Sequence, residues 1–184
     1  KELYGKPIIT ECDDNQFSIH GDHQGHSLIG EGSNIEFFIH NQIRISDHVI
    51  CSTEYLRRSV SKINCEASVI PNAINPILWN FEKKKNDLIR IGWAGASNHF
   101  RDLYLIKKAM GYILDKYENV EFYCLHGAPD FMFHPRFKND LTWTPIDSYP
   151  AKLASMNFDI ALAPLWDSEF NRSKSNLRYL EYSV

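Results

Sequence analysis

Apolar and polar positions along this chain alternate between a strand-like and a helical period. Pro7-Ile8-Ile9-Thr10-Glu11-Cys12 reads as a short strand. Ser33-Asn34-Ile35-Glu36 has capping-box spacing and opens a helix that places Ile35, Phe38, Ile39 and Ile43 on one face. Asp47 to Ser52 is a buried strand, Thr53 to Ser61 a second helix, and Ala67 to Ile70 a third strand ended by Pro71-Asn72. After the charged run Phe81-Glu82-Lys83-Lys84-Lys85-Asn86-Asp87 the rhythm starts again. Leu88 to Gly95 predicts a strand, and Asp102 to Tyr117 a helix lined by Ile106, Ala109, Met110, Ile113 and Tyr117. Strands follow at Val120–Gly127, Leu141–Pro145 and Phe158–Leu165, with a helix over Tyr149–Met156. Leu177, Leu180 and Val184 recur at helical spacing at the end. Strands alternating with helices predict an α/β chain with two doubly wound parallel sheets, one in residues 1–79 and one in 80–184. Both ends enter elements abruptly, so the reading expects an internal, incomplete piece of a longer chain.

Composition narrows the class. The hydrophobic fraction of 43% is that of an ordinary folded protein. A net charge of −3 gives no electrostatic case for nucleic acid or for an anionic membrane surface. Cys12, Cys51, Cys65 and Cys124 form no CxxC pair and read as free thiols in a reducing compartment. No apolar run approaches the roughly 20 residues of a bilayer span. The expectation is a cytoplasmic protein, with any membrane contact peripheral and made through segments outside these residues.

Ligands of doubly wound sheets bind beyond the carboxyl ends of the strands. Gly95, Ser97, His126, Gly127, Pro145 and the Ser173–Asn176 stretch all fall at that edge of the second sheet. Ser173, Lys174, Ser175 and Asn176 read as the first turn of the terminal helix. Free N–H groups and a lysine there make a seat for a phosphate. Glu181 lies seven residues beyond Lys174, about 10 Å along the axis, where its carboxylate suits ribose hydroxyls. The same spacing also fits a plain amphipathic helix with Lys174, Arg178 and Glu181 solvated, and spacing alone leaves both open. GxGxxG is absent, with only Gly92 and Gly95 at the strand end, which argues against a nicotinamide cofactor. Asp13-Asp14 is followed by Asn15, so the acids two apart of a DxD metal signature are missing, and no metal is expected. His20, His23 and His26 sit among Gly21 and Gly25, which predicts a mobile loop rather than a metal-binding helix face.

Three blocks carry a family resemblance: "STEYL…VIPNAI", "GWAGASNHFRDL" and "FNRSKSNLRYLEY". Together they resemble GT-B fold glycosyltransferases, in particular a bacterial branch similar to glycosyltransferase family 4. The resemblance covers about nine-tenths of the chain. It implies the later half of an acceptor-side domain (1–79) and most of a nucleotide-sugar domain (80–184), with the 16–32 loop on the acceptor side. Enzymes of this kind read Glu, seven residues, Glu across the terminal loop and helix. Glu181 matches the second Glu, which holds the ribose; Ser173 stands where the first belongs, a departure. The turn after Gly95 commonly supplies Arg and Lys to the diphosphate; here Ser97, His99 and Arg101 occupy it, and Arg172 and Lys174 are the substitutes. The implied donor-binding set is Gly95, Ser97, His99, Arg172, Ser173, Lys174, Ser175, Asn176 and Glu181, with no general base assignable. The implied activity is retaining hexosyl transfer from a nucleotide-diphosphate sugar to a glycan or lipid-linked acceptor in polysaccharide biosynthesis, without cofactor or metal. The alternative is a non-catalytic nucleotide- or sugar-binding module on the same fold.

Overall fold

A computed structural model describes residues 5–19, 21, 26–130 and 133–183. The elements run β1 (Ile9–Cys12), α1 (His26–Ile29), α2 (Asn34–Ile45), β2 (His48–Cys51), α3 (Glu54–Val60), β3 (Ala67–Val69), β4 (Ile89–Ala94), α4 (Phe100–Leu103), α5 (Lys107–Lys116), β5 (Val120–Leu125), β6 (Phe137–Asp140), α6 (Tyr149–Met156), β7 (Ile160–Ala161), α7 (Glu169–Arg172) and α8 (Leu177–Tyr182). They build two sheets, ordered β1-β2-β3 and β6-β5-β4-β7. Every ladder is parallel. The expected α/β architecture with two parallel sheets is therefore present.

Contacts divide the chain into two compact units: residues 1–73 with 167–177, and residues 74–166 with 178–184. The sequence boundary lay at 79/80 and kept the whole C-terminal segment in one domain. The segment 167–177 groups with the first unit because its polar groups are spent there. Thr53 Oγ1 donates to the Ser173 carbonyl at 2.8 Å, Tyr55 donates to Glu169 at 2.9 Å, and Asn72 donates to Ser175 Oγ at 2.9 Å.

In the first unit Ile43, Val49, Cys51, Leu56 and Val60 form the core, with Cys12, Phe17 and Ile39 against it. Helix α2 docks through its later turns only. Ile43 is buried, whereas Ile35 and Phe38, expected on the same inner face, are 41% and 66% exposed. Ser33 caps this helix, its hydroxyl accepting from the Glu36 N–H at 3.0 Å. Glu36 reaches back to the Gly32 N–H, one residue before the cap, so the return half of the box is displaced.

In the second unit the core is Ile91, Trp93, Leu103, Met110, Leu114, Val120, Phe122 and Cys124. The helix expected over 102–117 is broken into α4 and α5. The break shifts the inward phase, so Leu103 and Leu114 are buried while Ala109 and Tyr117 face solvent. The third strand of this sheet is Phe137–Asp140, not Leu141–Pro145. Phe137 pairs with Phe122 in register and stacks on its ring at 5.8 Å, while Leu141 and Trp143 stay exposed. β7 keeps only two residues of the eight expected; the Leu162 N–H still donates to Gly92, and Pro164 cannot donate. The terminal helix begins at Leu177. Ser173 instead closes α7, and 174–176 are non-helical. The cysteines are free thiols, and no helix among the described residues is long and apolar enough to cross a membrane.

Candidate functional site

The carboxyl edge of the second sheet starts where β4 gives out. Gly95 is buried against the Trp93 indole, and a Cβ there would come within 2.4 Å of the ring. The bare backbone of this turn is thus enforced by packing. A single 3-10 turn, Ser97–His99, follows and leads into α4. His99 Nδ1 lies 3.0 Å from Asp102 Oδ2, and Asp102, itself 4% exposed, accepts the Trp166 N–H at 2.7 Å through its other oxygen. The His99 ring is therefore oriented by a buried carboxylate.

β5 is followed by two left-handed residues, His126 at φ 70° and Gly127 at φ 139°. A Cβ on Gly127 would meet the Phe100 ring at 2.9 Å. The His126 ring packs 5.4 Å from Trp143 and 5.7 Å from Tyr149, centroid to centroid. Its Nε2 is buried and has no hydrogen-bond partner among the described residues. Burial pushes its pKa down, with Asp140 opposing and Arg178 and Lys152 adding to the shift. A left-handed non-glycine beside an orphaned ring nitrogen is the kind of local cost that accumulates at functional positions.

Helix α8 brings the carboxylate. Glu181 Oε2 accepts from Arg178 Nη1 at 2.6 Å, and the same nitrogen donates to the Tyr149 hydroxyl. The guanidinium lies 5.8 Å from the centroids of both the Tyr149 and Tyr182 rings, and the Tyr182 hydroxyl accepts the Ala94 N–H at 2.9 Å. The Glu181 side chain is only 10% exposed. Burial raises its pKa and Arg178 pulls it back. No donor among the described residues reaches its Oε1.

The other expected residues lie in the first unit, each with a partner there. Lys174 Nζ donates to Asp14 Oδ1 at 3.1 Å and sits 4.5 Å over the Phe170 ring. Arg172 forks onto both oxygens of Asp167, at 2.6 and 2.8 Å. Ser173 is fully buried and donates to the Glu169 carbonyl at 2.9 Å. Ser175 accepts from Asn72, which also donates to Asp13 Oδ1 at 2.9 Å. Asn176 is exposed in the connection. The phosphate seat expected from a helix start over 173–176 is absent, because these residues precede the helix. Asp13 and Asp14 are thus engaged by Asn72 and Lys174, and among the described residues no group of three or more His, Cys, Asp or Glu is placed to hold a metal ion. His20 and His23 lie outside the described residues, while His26 opens α1.

The sequence reading treated Arg178 as a solvated alternative and missed Trp143, Tyr149 and Tyr182 as site residues. The i,i+3 spacing of Arg178 and Glu181 was the available signal. The edge of the second unit offers aromatic faces, an unpaired ring nitrogen, a carboxylate oxygen and a glycine turn. Such a set can stack on a flat ring and accept from hydroxyls.

No protein-family model matches this chain, and no curated protein matches it in sequence. Solved structures do match. Anabaena HepE in complex with UDP and glucose superposes with a TM-score of 0.52 at 10% identity, over 87% of this chain and 46% of that one. A variant of S. aureus TarM in complex with Fondaparinux, alpha-GlcNAc-glycerol and UDP gives 0.46 at 14%, over 85% and 28%. A further TarM structure gives 0.47 at 13%, over 88% and 29%. The chain thus spans a little under half the length of the HepE chain, and at this identity the likeness is one of fold. The two parallel α/β sheets are those of the GT-B architecture.

Proposed function

We propose that this chain binds a nucleoside-diphosphate sugar and belongs to a glycosyltransferase that passes the sugar to a glycan or lipid-linked acceptor. The observation that carries the reading is Glu181, a nearly buried carboxylate with one oxygen paired to Arg178 and the other unspent, on the helix whose Tyr182 anchors the end of β4. An anion is expensive to bury unless its hydrogen bonds are used, and paired ribose hydroxyls are suitable donors. HepE was crystallised with UDP and glucose, which supports a uridine nucleotide as the first ligand to test. In this reading Gly95, Ser97 and His99 line the approach of the diphosphate. Transfer needs fixed positive potential at the leaving diphosphate more than a general base. Retention of configuration and polysaccharide biosynthesis rest on the resemblance, a cytoplasmic setting on the unpaired cysteines, and the reading takes neither metal nor cofactor.

Calorimetric titration with UDP tests it directly. Binding should survive EDTA, and Glu181→Ala should cost about 1.5–3 kcal/mol, the worth of hydrogen bonds to a charged acceptor. Equal affinity of parent and Glu181→Ala would remove the physical support of the nucleotide reading. A second reading, a non-catalytic binding module, is favoured by the pairing of both Arg172 and Lys174 with carboxylates. It predicts that UDP and uridine bind alike and that no sugar is released from any UDP-sugar.

A further inference from the structure

We propose that Arg178 is a positioning residue for Glu181: seated by the Tyr149 hydroxyl and held between two tyrosine rings, it fixes the carboxylate in its ionised, accepting form. The proposal rests on the nucleotide reading for what the carboxylate accepts, but its geometry stands independently. Arg178 Nη1 is shared between the Tyr149 hydroxyl and Glu181 Oε2, so the position of the cation is set from α6 and that of the anion from the cation. The rings of Tyr149 and Tyr182 both lie 5.8 Å from the guanidinium and shield the Glu181 side of the pair, leaving Arg178 35% exposed. Tyr182 is fixed in turn by the Ala94 N–H at the end of β4. Glu181 lines a cavity of about 200 Å³ walled by Trp79, Phe81, Leu153 and Phe158.

The charges around this carboxylate leave Arg178 as its counter-ion. Across the cavity stand Glu82, Lys83 and Asp159, and Lys83 pairs with Asp159 at 3.2 Å. Tyr149 from α6 and Tyr182 from α8 are neutral phenols whose burial raises their pKa. Without Arg178, burial acts on Glu181 unopposed, and a carboxyl in that setting holds its proton more tightly. A protonated Glu181 donates one hydrogen bond and loses much of its strength as an acceptor from two hydroxyls. Lysine cannot replicate the arrangement fully, since its compact ammonium lacks the planar guanidinium that stacks between rings.

The test measures the Glu181 carboxyl by carbon NMR in the ligand-free chain, from about pH 4 to about pH 9. UDP affinity is measured over the same range. In Arg178→Gln the carboxyl should titrate at higher pH than in the parent, by about one unit or more. UDP affinity should fall about tenfold at the acid end and recover as the pH rises. Arg178→Lys should restore most of the carboxyl's acidity. In the Glu181→Gln background, Arg178→Gln should change UDP affinity little and without pH dependence. Should Arg178→Gln not fold, Tyr149→Phe, which removes only the seat of the guanidinium, should move the carboxyl in the same direction by less. An unchanged Glu181 titration in these variants overturns the proposal, as does an equal loss of UDP affinity with and without Glu181. If the parent binds no UDP, the nucleotide reading fails, while the carboxyl titration still decides the role of Arg178.

Discussion

The carboxyl edges of the two sheets differ in how their polar groups are spent. In the first unit most satisfy one another: Lys174 with Asp14, Asn72 with Asp13 and Ser175, and Thr53 with the Ser173 carbonyl, while the buried Asn15 Oδ1 is left without a partner among the described residues. In the second unit capacity is left over. His126 Nε2 is buried without a partner among the described residues, Glu181 has one oxygen paired to Arg178, and two consecutive residues hold left-handed backbone. A satisfied edge stabilises its own fold, and an unsatisfied one stores capacity for a ligand at some cost to the fold.

The largest effect that could break this contrast is at Gly127. Its φ of 139° and the 2.9 Å approach to Phe100 leave no room for a side chain. Gly127→Val should destabilise the chain by about 3 kcal/mol through strain and overpacking, read as a lower midpoint in urea unfolding. A neutral Gly127→Val would show that the second edge is not a strained one.

Next is Thr53, whose hydroxyl accepts the Leu56 N–H as the cap of α3 and donates to the Ser173 carbonyl. Thr53→Val should cost about 1.5 kcal/mol and leave UDP affinity unchanged. Loss of UDP binding without loss of stability would erase the distinction between a tied and a poised edge. Lys174→Met comes third, because Asp14 is 41% exposed and water takes over from the lost ammonium. Stability should fall by less than about 1 kcal/mol, with UDP affinity unchanged. A larger loss in urea unfolding would show that the pair is not screened by water.

The smallest effect is on acid stability. Lys152, with Thr142 helping, holds the Asp140 carboxyl down at about 2. A carboxyl whose pKa falls on folding adds stability above its unfolded value of 3.8, and this is lost as the pH drops through about 2. Lys152→Met should therefore flatten the acid limb of a thermal-unfolding profile between about pH 4 and about pH 2. Both side chains keep about a quarter of their surface exposed, which bounds the effect. An unaltered limb would mean that the pair is solvent-screened.

The alternation of short apolar strands with helices was legible from the chain alone, because a parallel strand buried on both faces leaves a dense apolar run. Val49, Cys51, Ile91 and Phe122 sit in such runs and are in the cores. Strand choice was less legible where burial and pairing disagree with hydrophobicity. Phe137–Asp140 wins over Leu141–Pro145 because one phenyl ring finds Phe122 in register, a contact no local pattern contains. The place of Glu181 on the last helix was readable from spacing, and so was the glycine at the end of β4. What only the tertiary structure decided is which charges remain available there. Whether Lys174 meets Asp14, or Arg178 is seated by Tyr149, depends on residues 160 and 29 positions away in the chain. Electrostatic partnership is settled by a few ångströms and by burial, and neither is a property of sequence spacing.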